Sequence, residues 1–435
     1  MSQDLNRVEG RQGQTSLLRP RERIVLNADT WSWVLVAVGV ILQVLEYADN
    51  RPLYIDEGLL LKNLVELPIF DFSTTLSKDQ LAAPGFLGVE RIMVRLPTPT
   101  VWSARLIPLL CGIASMFLMR SVARRYLSPC AVPIAVGLFA LDDWLIYYTV
   151  EIKQYCSDTT LTLVALLLAS AAADLSRRSL LFLAAFGVVG VWFSHPLAMV
   201  LGAVGTYLAG TAAIRRDWKK KSGIAGMSLL WAASFAACYS VSHRILSKDR
   251  FIWNWWDFAF LPIPPRSLAD LSRDFWQVIN IFNSPAWVVT PLGVLASAFL
   301  AMGLYLIGSL SLGLRWRGGL YLLVAPLLFT LAASALHQYP FHGRLLLFLV
   351  PTIHLLVAEG AEALTRKGGV ILTVALGLFL LVQPAREVSW NRLIAKRNHG
   401  GYDSHGDLLP DLLDYLERTR SRSGVVDPHA KPGKP

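Results

Sequence analysis

The chain has 435 residues, of which 54% are hydrophobic and 17% charged, and its formal net charge is +10. A soluble protein of this length needs more polar residues to cover its surface, so the composition excludes that class and indicates a protein that crosses a membrane several times. The basic residues stand in short clusters between apolar runs. Because that pattern is typical of membrane topology, we predict membrane lipids and no nucleic acid as partners.

The first 30 residues contain five arginines and few apolar residues, and we interpret 1–30 as a basic cytosolic tail. A helix needs about 20 residues to cross a hydrocarbon core of about 30 Å. We therefore predict an all-α membrane protein whose transmembrane domain is 31–384, followed by a polar and exoplasmic C-terminal tail, 385–435. About eleven spans are predicted, at roughly 31–48, 101–119, 131–148, 157–173, 179–194, 197–214, 223–243, 287–312, 319–336, 344–361 and 369–384.

Short basic loops on alternate connections set the predicted orientation. The positive-inside rule makes the side that carries them cytosolic. The clusters are Arg120/Arg124/Arg125, Arg177/Arg178, Arg215/Arg216/Lys219/Lys220/Lys221, Arg315/Arg317 and Arg366/Lys367.

Two long segments, 49–100 and 244–286, then fall on the exoplasmic side. Leucines at helical spacing over Leu59–Leu67, and a similar pattern over Gly85–Leu96, predict amphipathic helices in the membrane interface of the first segment. The second segment is rich in residues typical of membrane interfaces, Trp253, Trp255, Trp256 and Trp276.

Two adjacent carboxylates, Asp56 and Glu57, follow the first apolar run. They are open to two interpretations. Acids are favoured in the first turn of a helix, so the pair could be solvated caps of the helix that follows. A carboxylate held at the membrane surface could also act as a general base on an acceptor hydroxyl.

A second acidic pair, Asp142 and Asp143, ends an apolar run that starts at Ala131. The eleven residues of that run rise only about 16 Å as a helix. Either the span continues through both aspartates, or it stops early inside a cavity, where ionisable residues face protein or water.

Glu151, Lys153 and Tyr155 come next, with Glu151 and Tyr155 spaced to share a helix face. Glu151 and Lys153 could form an exposed ion pair worth under about 1 kcal/mol, or Lys153 could supply a positive charge for an anionic ligand. Arg344, near the start of a late apolar run, could be a snorkelling anchor or a bidentate phosphate ligand. His195, His337 and His342 do not form a metal motif, so we predict no metal and no cofactor.

Several strings resemble the GT-C superfamily of polytopic glycosyltransferases, and within it the bacterial protein O-mannosyltransferase and aminoarabinose transferase group. They keep their order and their predicted exoplasmic side over most of the membrane domain. They are Tyr54-Ile-Asp-Glu-Gly, Ala83-Pro-Gly-Phe-Leu-Gly-Val-Glu-Arg, Ala104-Arg-Leu-Ile-Pro-Leu-Leu-Cys-Gly, Tyr148-Thr-Val-Glu-Ile-Lys-Gln-Tyr and Tyr339-Pro-Phe-His-Gly-Arg-Leu-Leu-Leu-Phe-Leu-Val-Pro.

This resemblance implies a glycosyltransferase of a bacterial cytoplasmic membrane. Its donor would be a sugar on a polyprenyl phosphate, and its acceptor a lipid, a polysaccharide or a protein on the exoplasmic side. Asp56 would be the general base, with Glu57 supporting it or orienting the acceptor. Arg344 and Lys153 would bind the donor phosphate, and the supporting residues would be Glu151, Tyr155, Tyr339 and His342.

Two other classes of protein fit a polytopic chain with a few charges. A transporter or lipid flippase of envelope assembly often has two related halves, and the sequence contains no such repeat. A non-enzymatic scaffold would not need acids and bases on one side of the membrane. The strings above favour the transferase.

Overall fold

The computed structural model describes residues 20–72, 74, 76, 80–96, 101–245, 256–262 and 264–390. Trp253, Trp255 and most of the two predicted tails lie outside these residues.

The described residues form fifteen α-helices and no strand. The helices are α1 Pro20–Asp49, α2 Ile55–Glu66, α3 Pro84–Met93, α4 Val101–Tyr126, α5 Ala131–Ala140, α6 Asp143–Tyr148, α7 Tyr155–Ala171, α8 Arg177–Gly190, α9 Leu197–Ile214, α10 Trp218–Ile245, α11 Leu268–Asn280, α12 Val294–Arg315, α13 Arg317–Ala335, α14 Val350–Thr365 and α15 Gly369–Val388.

Eight helical stretches in the described part of the chain are long and apolar enough to cross a membrane. The all-α membrane fold predicted from the sequence is therefore confirmed. The stretches are Asn27–Asp49, Val101–Tyr126, Tyr155–Asp174, Leu197–Ile214, Trp218–Arg244, Val294–Arg315, Arg317–Ala335 and Gly343–Val388.

The predicted count of eleven spans is not confirmed. The predicted span 131–148 is divided between the short helices α5 and α6, because Asp142 caps α6 and interrupts the apolar run. The helix at 179–194 is α8, which has only 14 residues. The last two predicted spans fall within one stretch, which turns at Gly369 with a φ of +80°.

Helices α12 and α14 approach each other closely. A Cβ atom on Gly308 would lie 1.9 Å from the carbonyl oxygen of Leu356, and one on Gly360 would lie 1.8 Å from that of Leu304. Only glycine fits at either position, because its missing side chain lets the two backbones touch, as is common where membrane helices cross.

The two amphipathic helices predicted in the first exoplasmic segment are present as α2 and α3. Their apolar faces pack on each other in a second, smaller core, in which Leu60, Leu64 and Leu87 are fully buried. These leucines are therefore covered by protein, because Leu60 and Leu64 of α2 face the apolar side of α3, which includes Leu87. A location of the two helices in the membrane interface remains a prediction.

The basic clusters gather at one end of the bundle. Arg120 of α4 pairs with Asp29 of α1, and Arg315 at the end of α12 donates to the Tyr126 carbonyl at 3.0 Å. The opposite end of α1 leads to Asp56 in the first turn of α2, and the start of α7 follows the connection that carries Glu151.

Candidate functional site

The first turn of α2 holds both predicted carboxylates and directs them differently. Tyr54 is the extended residue before the helix, and its backbone N–H donates to the Glu57 carboxylate at 3.0 Å. This capping contact turns Glu57 back into the protein. Asp56, one residue earlier, lines a large cavity instead.

The Glu57 side chain is fully buried, and cations and hydrogen-bond donors compensate the charge of its carboxylate. Arg51 donates to it at 2.8 Å, Arg105 of α4 contacts both of its oxygens at 3.2 Å, and the backbone N–H of Ile152 donates at 3.2 Å. A buried carboxylate is tolerated when cations and hydrogen bonds surround it in this way. Glu57 therefore fastens α2 to α4 and to the 149–154 connection, beneath the cavity wall.

Asp56 forms an ion pair with Arg344, at a distance of 2.6 Å between Oδ2 and Nη2. Arg344 stands in a short 3₁₀ helix, Gly343–Leu349, which begins at a glycine with a φ of +46°. Both side chains are about a quarter exposed, at 28% and 23%, so ligands in the cavity can reach them. The pair places a carboxylate and a guanidinium side by side.

Glu151 and Lys153 complete the charged wall of the cavity. Residues 149–154 are not helical and α7 begins at Tyr155, so the prediction that Glu151 and Tyr155 share a helix face is wrong. The physical reason is the contact between Ile152 N–H and Glu57, which holds this connection outside a helix. Lys153 donates a hydrogen bond to the side-chain oxygen of Gln80.

The environment of Glu151 favours its neutral form. Glu151 lies 3.9 Å from both Arg51 and Arg344, yet it is 1% exposed. Burial, with a further contribution from the nearby charge of Glu57, raises the pKa of Glu151 to about 7. Burial also lowers the pKa of Lys153, and the Asp56 carboxylate opposes that change.

The cavity has a volume of about 1650 Å³ and collects most of the predicted site residues. Beyond the charged wall it runs between α9, α10 and α13, where its lining is mainly apolar. The predicted residues on its lining are Asp56, Glu151, Lys153, Tyr155, Tyr339, His342 and Arg344.

Three of these residues mainly shape the cavity. Tyr155 lies under the Arg344 guanidinium, with its ring centre 5.8 Å away. The Tyr339 hydroxyl donates to the Leu345 carbonyl at 2.7 Å, which braces the turn that carries Arg344. His342 packs edge-to-face on Phe258 at 5.1 Å.

The second acidic pair stops its helix early, as one of the two predicted alternatives requires. Asp142 accepts from the Leu145 N–H at 3.1 Å and lies 3.6 Å from His354 of α14. Asp143 lines the cavity. The early stop follows from this capping contact.

Sequence reasoning gave no role to Arg51, Arg105, Gln80 or Asp158. Arg105 belongs to one of the strings that resemble the superfamily, but its contact with Glu57 joins residues 48 positions apart. Asp158 is 5% exposed in the first turn of α7 and lines the cavity. The sequence could have indicated Asp158, because it lies about one helical turn after Tyr155 and shares its helix face.

Two other histidines considered from the sequence contact polar or aromatic neighbours, and His195 also lines the cavity. His195 shares a hydrogen bond with Ser242 at 2.9 Å, and His337 stacks on Phe260 at 5.0 Å. Among the described residues, no group of three or more His, Cys, Asp or Glu side chains lies close enough to hold a metal ion.

Comparison with solved structures finds similar folds in membrane transferases. The oligosaccharyltransferase AglB of Archaeoglobus fulgidus, in complex with an inhibitory peptide and a dolichol-phosphate, matches with a TM-score of 0.52 and 12% identity over 93% of this chain. Its apo form matches with a TM-score of 0.53, again at 12% identity over 93% of this chain. This chain spans 61% and 62% of the two AglB chains.

ArnT of Cupriavidus metallidurans, bound to undecaprenyl phosphate, matches with a TM-score of 0.48 and 14% identity, over 89% of this chain and 75% of that one. No protein-family model and no curated protein sequence matches the chain. The AglB likeness shows that the chain shares the fold of that oligosaccharyltransferase.

Proposed function

We propose that this chain is a membrane glycosyltransferase that moves a sugar from a polyprenyl-phosphate donor to a hydroxyl group of an acceptor. The observation that carries the proposal is the Asp56–Arg344 pair on the wall of a cavity of about 1650 Å³. A carboxylate able to take a proton and a guanidinium able to bind phosphate stand at one point of that wall. The apolar part of the same cavity suits an isoprenoid chain.

Arg344 and Lys153 bind the donor phosphate in this proposal. As the sugar leaves, negative charge grows on the phosphate oxygen, and preorganised cations stabilise that charge. The planar fork of Arg344 can donate to a phosphate while it still contacts Asp56. Lys153 supplies a point charge, held in place by Gln80.

Asp56 acts as the general base. It takes the proton of the acceptor hydroxyl while the acceptor oxygen bonds to the anomeric carbon. The bond from that carbon to the phosphate oxygen breaks, and polyprenyl phosphate leaves with the electron pair. A single displacement of this kind inverts the anomeric carbon.

Glu57 and Glu151 act through their neighbours. Glu57 fixes the turn that presents Asp56, through its contacts with Arg51 and Arg105. Glu151 lies between Arg51 and Arg344 and orients the guanidinium of Arg344. The fold of AglB, a protein whose structure holds a dolichol-phosphate, supports a lipid phosphate as the donor carrier.

The charge distribution supports an exoplasmic site. The basic loops at the other end of the bundle belong in the cytosol by the positive-inside rule, which puts Asp56 and Arg344 outside. Nucleotide sugars are cytosolic, so a site outside needs a donor that the membrane carries. We place the protein in a bacterial cytoplasmic membrane.

The test is sugar transfer by the full-length protein in proteoliposomes. Labelled polyprenyl-phosphate sugars and nucleotide sugars are supplied with an extract of envelope acceptors. The proposal predicts that only the lipid-linked donor loses its sugar and that free polyprenyl phosphate accumulates. Movement of an intact donor across the bilayer without cleavage would instead identify a flippase and contradict the proposal.

A further inference from the structure

A second cavity of about 490 Å³ adjoins the first and takes no part in the proposed donor binding. It lies between α11, the start of α12 and the 341–346 turn. Its volume is in the range of roughly 300–1,000 Å³ that small-ligand sites occupy. The residues that line both cavities are Phe258, Ser284, His342 and Gly343.

The lining of this second cavity is aromatic and rich in amides. Gln277 donates through its side-chain nitrogen to the Phe258 carbonyl at 2.8 Å, which leaves its buried oxygen without a donor among the described residues. The buried side-chain oxygen of Asn283 also has no hydrogen-bond donor among the described residues. A small rotation of either amide would bring its oxygen to a hydroxyl group in the cavity.

The cavity offers little to an anionic ligand. Its cation, Arg273, pairs with Asp270 at 3.2 Å and with Asp274 at 3.9 Å. Both acids belong to the same helix as Arg273, and they neutralise the charge of its guanidinium. A neutral ligand with several hydroxyl groups fits this lining better than a phosphate, because amide oxygens accept from hydroxyls.

The helix that bounds this cavity also presents an apolar face. Leu268, Leu271 and Phe275 of α11 are 85%, 53% and 46% exposed, at the spacing of one helical face. Exposed apolar residues of an amphipathic helix in a membrane protein favour the lipid interface. Trp276, 46% exposed, stands where that face meets the cavity and can stack on a sugar ring.

We infer that this second cavity binds the acceptor, and that the acceptor is the neutral glycan headgroup of a membrane lipid. The inference rests on the proposed function and names its acceptor class. The lipid chain would stay beside the apolar face of α11, and the glycan would enter past Trp276. His342 and Gly343 then form the boundary that an acceptor hydroxyl passes to reach Asp56.

The first experiment identifies the acceptor by the fate of the label. Membranes that contain the wild-type protein receive a labelled polyprenyl-phosphate sugar, and the products are separated by solvent extraction and protease treatment. We expect the label in an extractable lipid that resists protease. Label in protease-sensitive material, or in a water-soluble polysaccharide, overturns the inference while leaving the proposed transferase intact. An uncleaved donor overturns both.

The second experiment locates the acceptor site, with the extracted acceptor lipid as the probe. Asn283→Ala and Trp276→Ala should each raise the KM for this lipid about tenfold, the change expected from one lost contact of about 1.4 kcal/mol. The KM for the donor should stay unchanged. Trp276→Phe, which keeps an aromatic platform, should recover most of the loss.

Ser272→Ala is the matched control, since Ser272 is exposed on α11 and does not line the cavity. An unchanged acceptor KM in both cavity variants would overturn the location of the site. A parallel rise of the donor KM would also contradict it, because it would indicate general damage to the fold.

Discussion

The carboxylate of Asp56 and the guanidinium of Arg344 lie 2.6 Å apart, although 288 positions separate them in the chain. Asp56 lies in the first turn of the helix after the first span, and Arg344 is the second residue of the stretch that forms the last spans. The pair therefore joins the two ends of the membrane domain. It also gives the cavity wall a carboxylate and a guanidinium, whose separate loss should have different kinetic signatures under the proposed mechanism.

Loss of Arg344 should weaken donor use. In Arg344→Ala the phosphate loses its bidentate partner, and we expect kcat/KM for the donor to fall by about 10²–10³. Arg344→Lys should recover only part of that loss, since an ammonium cannot form the planar fork. Initial rates at varied donor concentration measure the effect. Arg317→Ala, at the basic end of the bundle, is the control, and an equal loss there would point to a nonspecific effect.

Loss of the Glu57 charge should damage stability. Glu57→Gln leaves Arg51 and Arg105 buried without their carboxylate, and breaking a buried pair typically costs about 3–5 kcal/mol of unfolding free energy. Thermal unfolding in detergent should show a clear fall in Tm. Glu66→Gln on the same helix removes only a half-exposed contact with Lys62 at 3.9 Å, and should cost under about 1 kcal/mol. Equal Tm values for the two variants would contradict the role given to Glu57.

The raised pKa of Glu151 should produce a pH dependence. Its pKa of about 7 in the folded protein exceeds the ordinary 4.5, so the folded protein binds more protons between these values. The free energy of unfolding should therefore fall as pH rises through that window. Ionised Glu151 also neutralises part of the positive charge of Arg344. Because Arg344 then attracts the donor phosphate less strongly, the donor KM should rise as pH passes about 7.

Glu151→Gln isolates this effect, because glutamine cannot ionise. Tm should lose the part of its pH dependence that lies between about 4.5 and 7, and the donor KM should lose its rise near pH 7. Parallel pH profiles for the variant and the wild type would assign the titration to another group.

The crossing of α12 and α14 should not tolerate a methyl group. Gly360→Ala places a Cβ 1.8 Å from the Leu304 carbonyl, so the two backbones must separate. Overpacking of this kind typically costs about 1–3 kcal/mol. Gly303→Ala on α12 is the control, since nothing lies within 4 Å of its Cβ. A Tm for Gly360→Ala at or above that of Gly303→Ala would contradict this packing.

The sequence predicted the helical class well, because each long apolar run can satisfy its backbone in a membrane only as a helix. It predicted full-length helices less well where a polar residue competes for the backbone. Asp142 caps α6 inside an apolar run, and no pattern in that run indicates whether the helix continues past it.

The residues of the candidate site were predicted from the sequence, but their contacts with one another were not. Spacing alone could not separate Asp56 from Glu57, since both follow the same apolar run. Their separation depends on Arg51 and Arg105, and the second of these comes from a different helix. The connection that carries Glu151 was predicted as helix. The contact of Ile152 with Glu57, which is distant in the sequence, cannot be predicted from the neighbouring residues.

The most direct test of the central claim is sugar transfer by Asp56→Asn, compared with the wild type and with Asp49→Asn, an exposed acid at the end of α1. Asparagine keeps the shape of the side chain but cannot take the acceptor proton. We predict that kcat falls by at least about 10²–10⁴, while membrane insertion and donor binding persist and Asp49→Asn stays active. Wild-type turnover by Asp56→Asn would contradict the assignment of Asp56 as the general base.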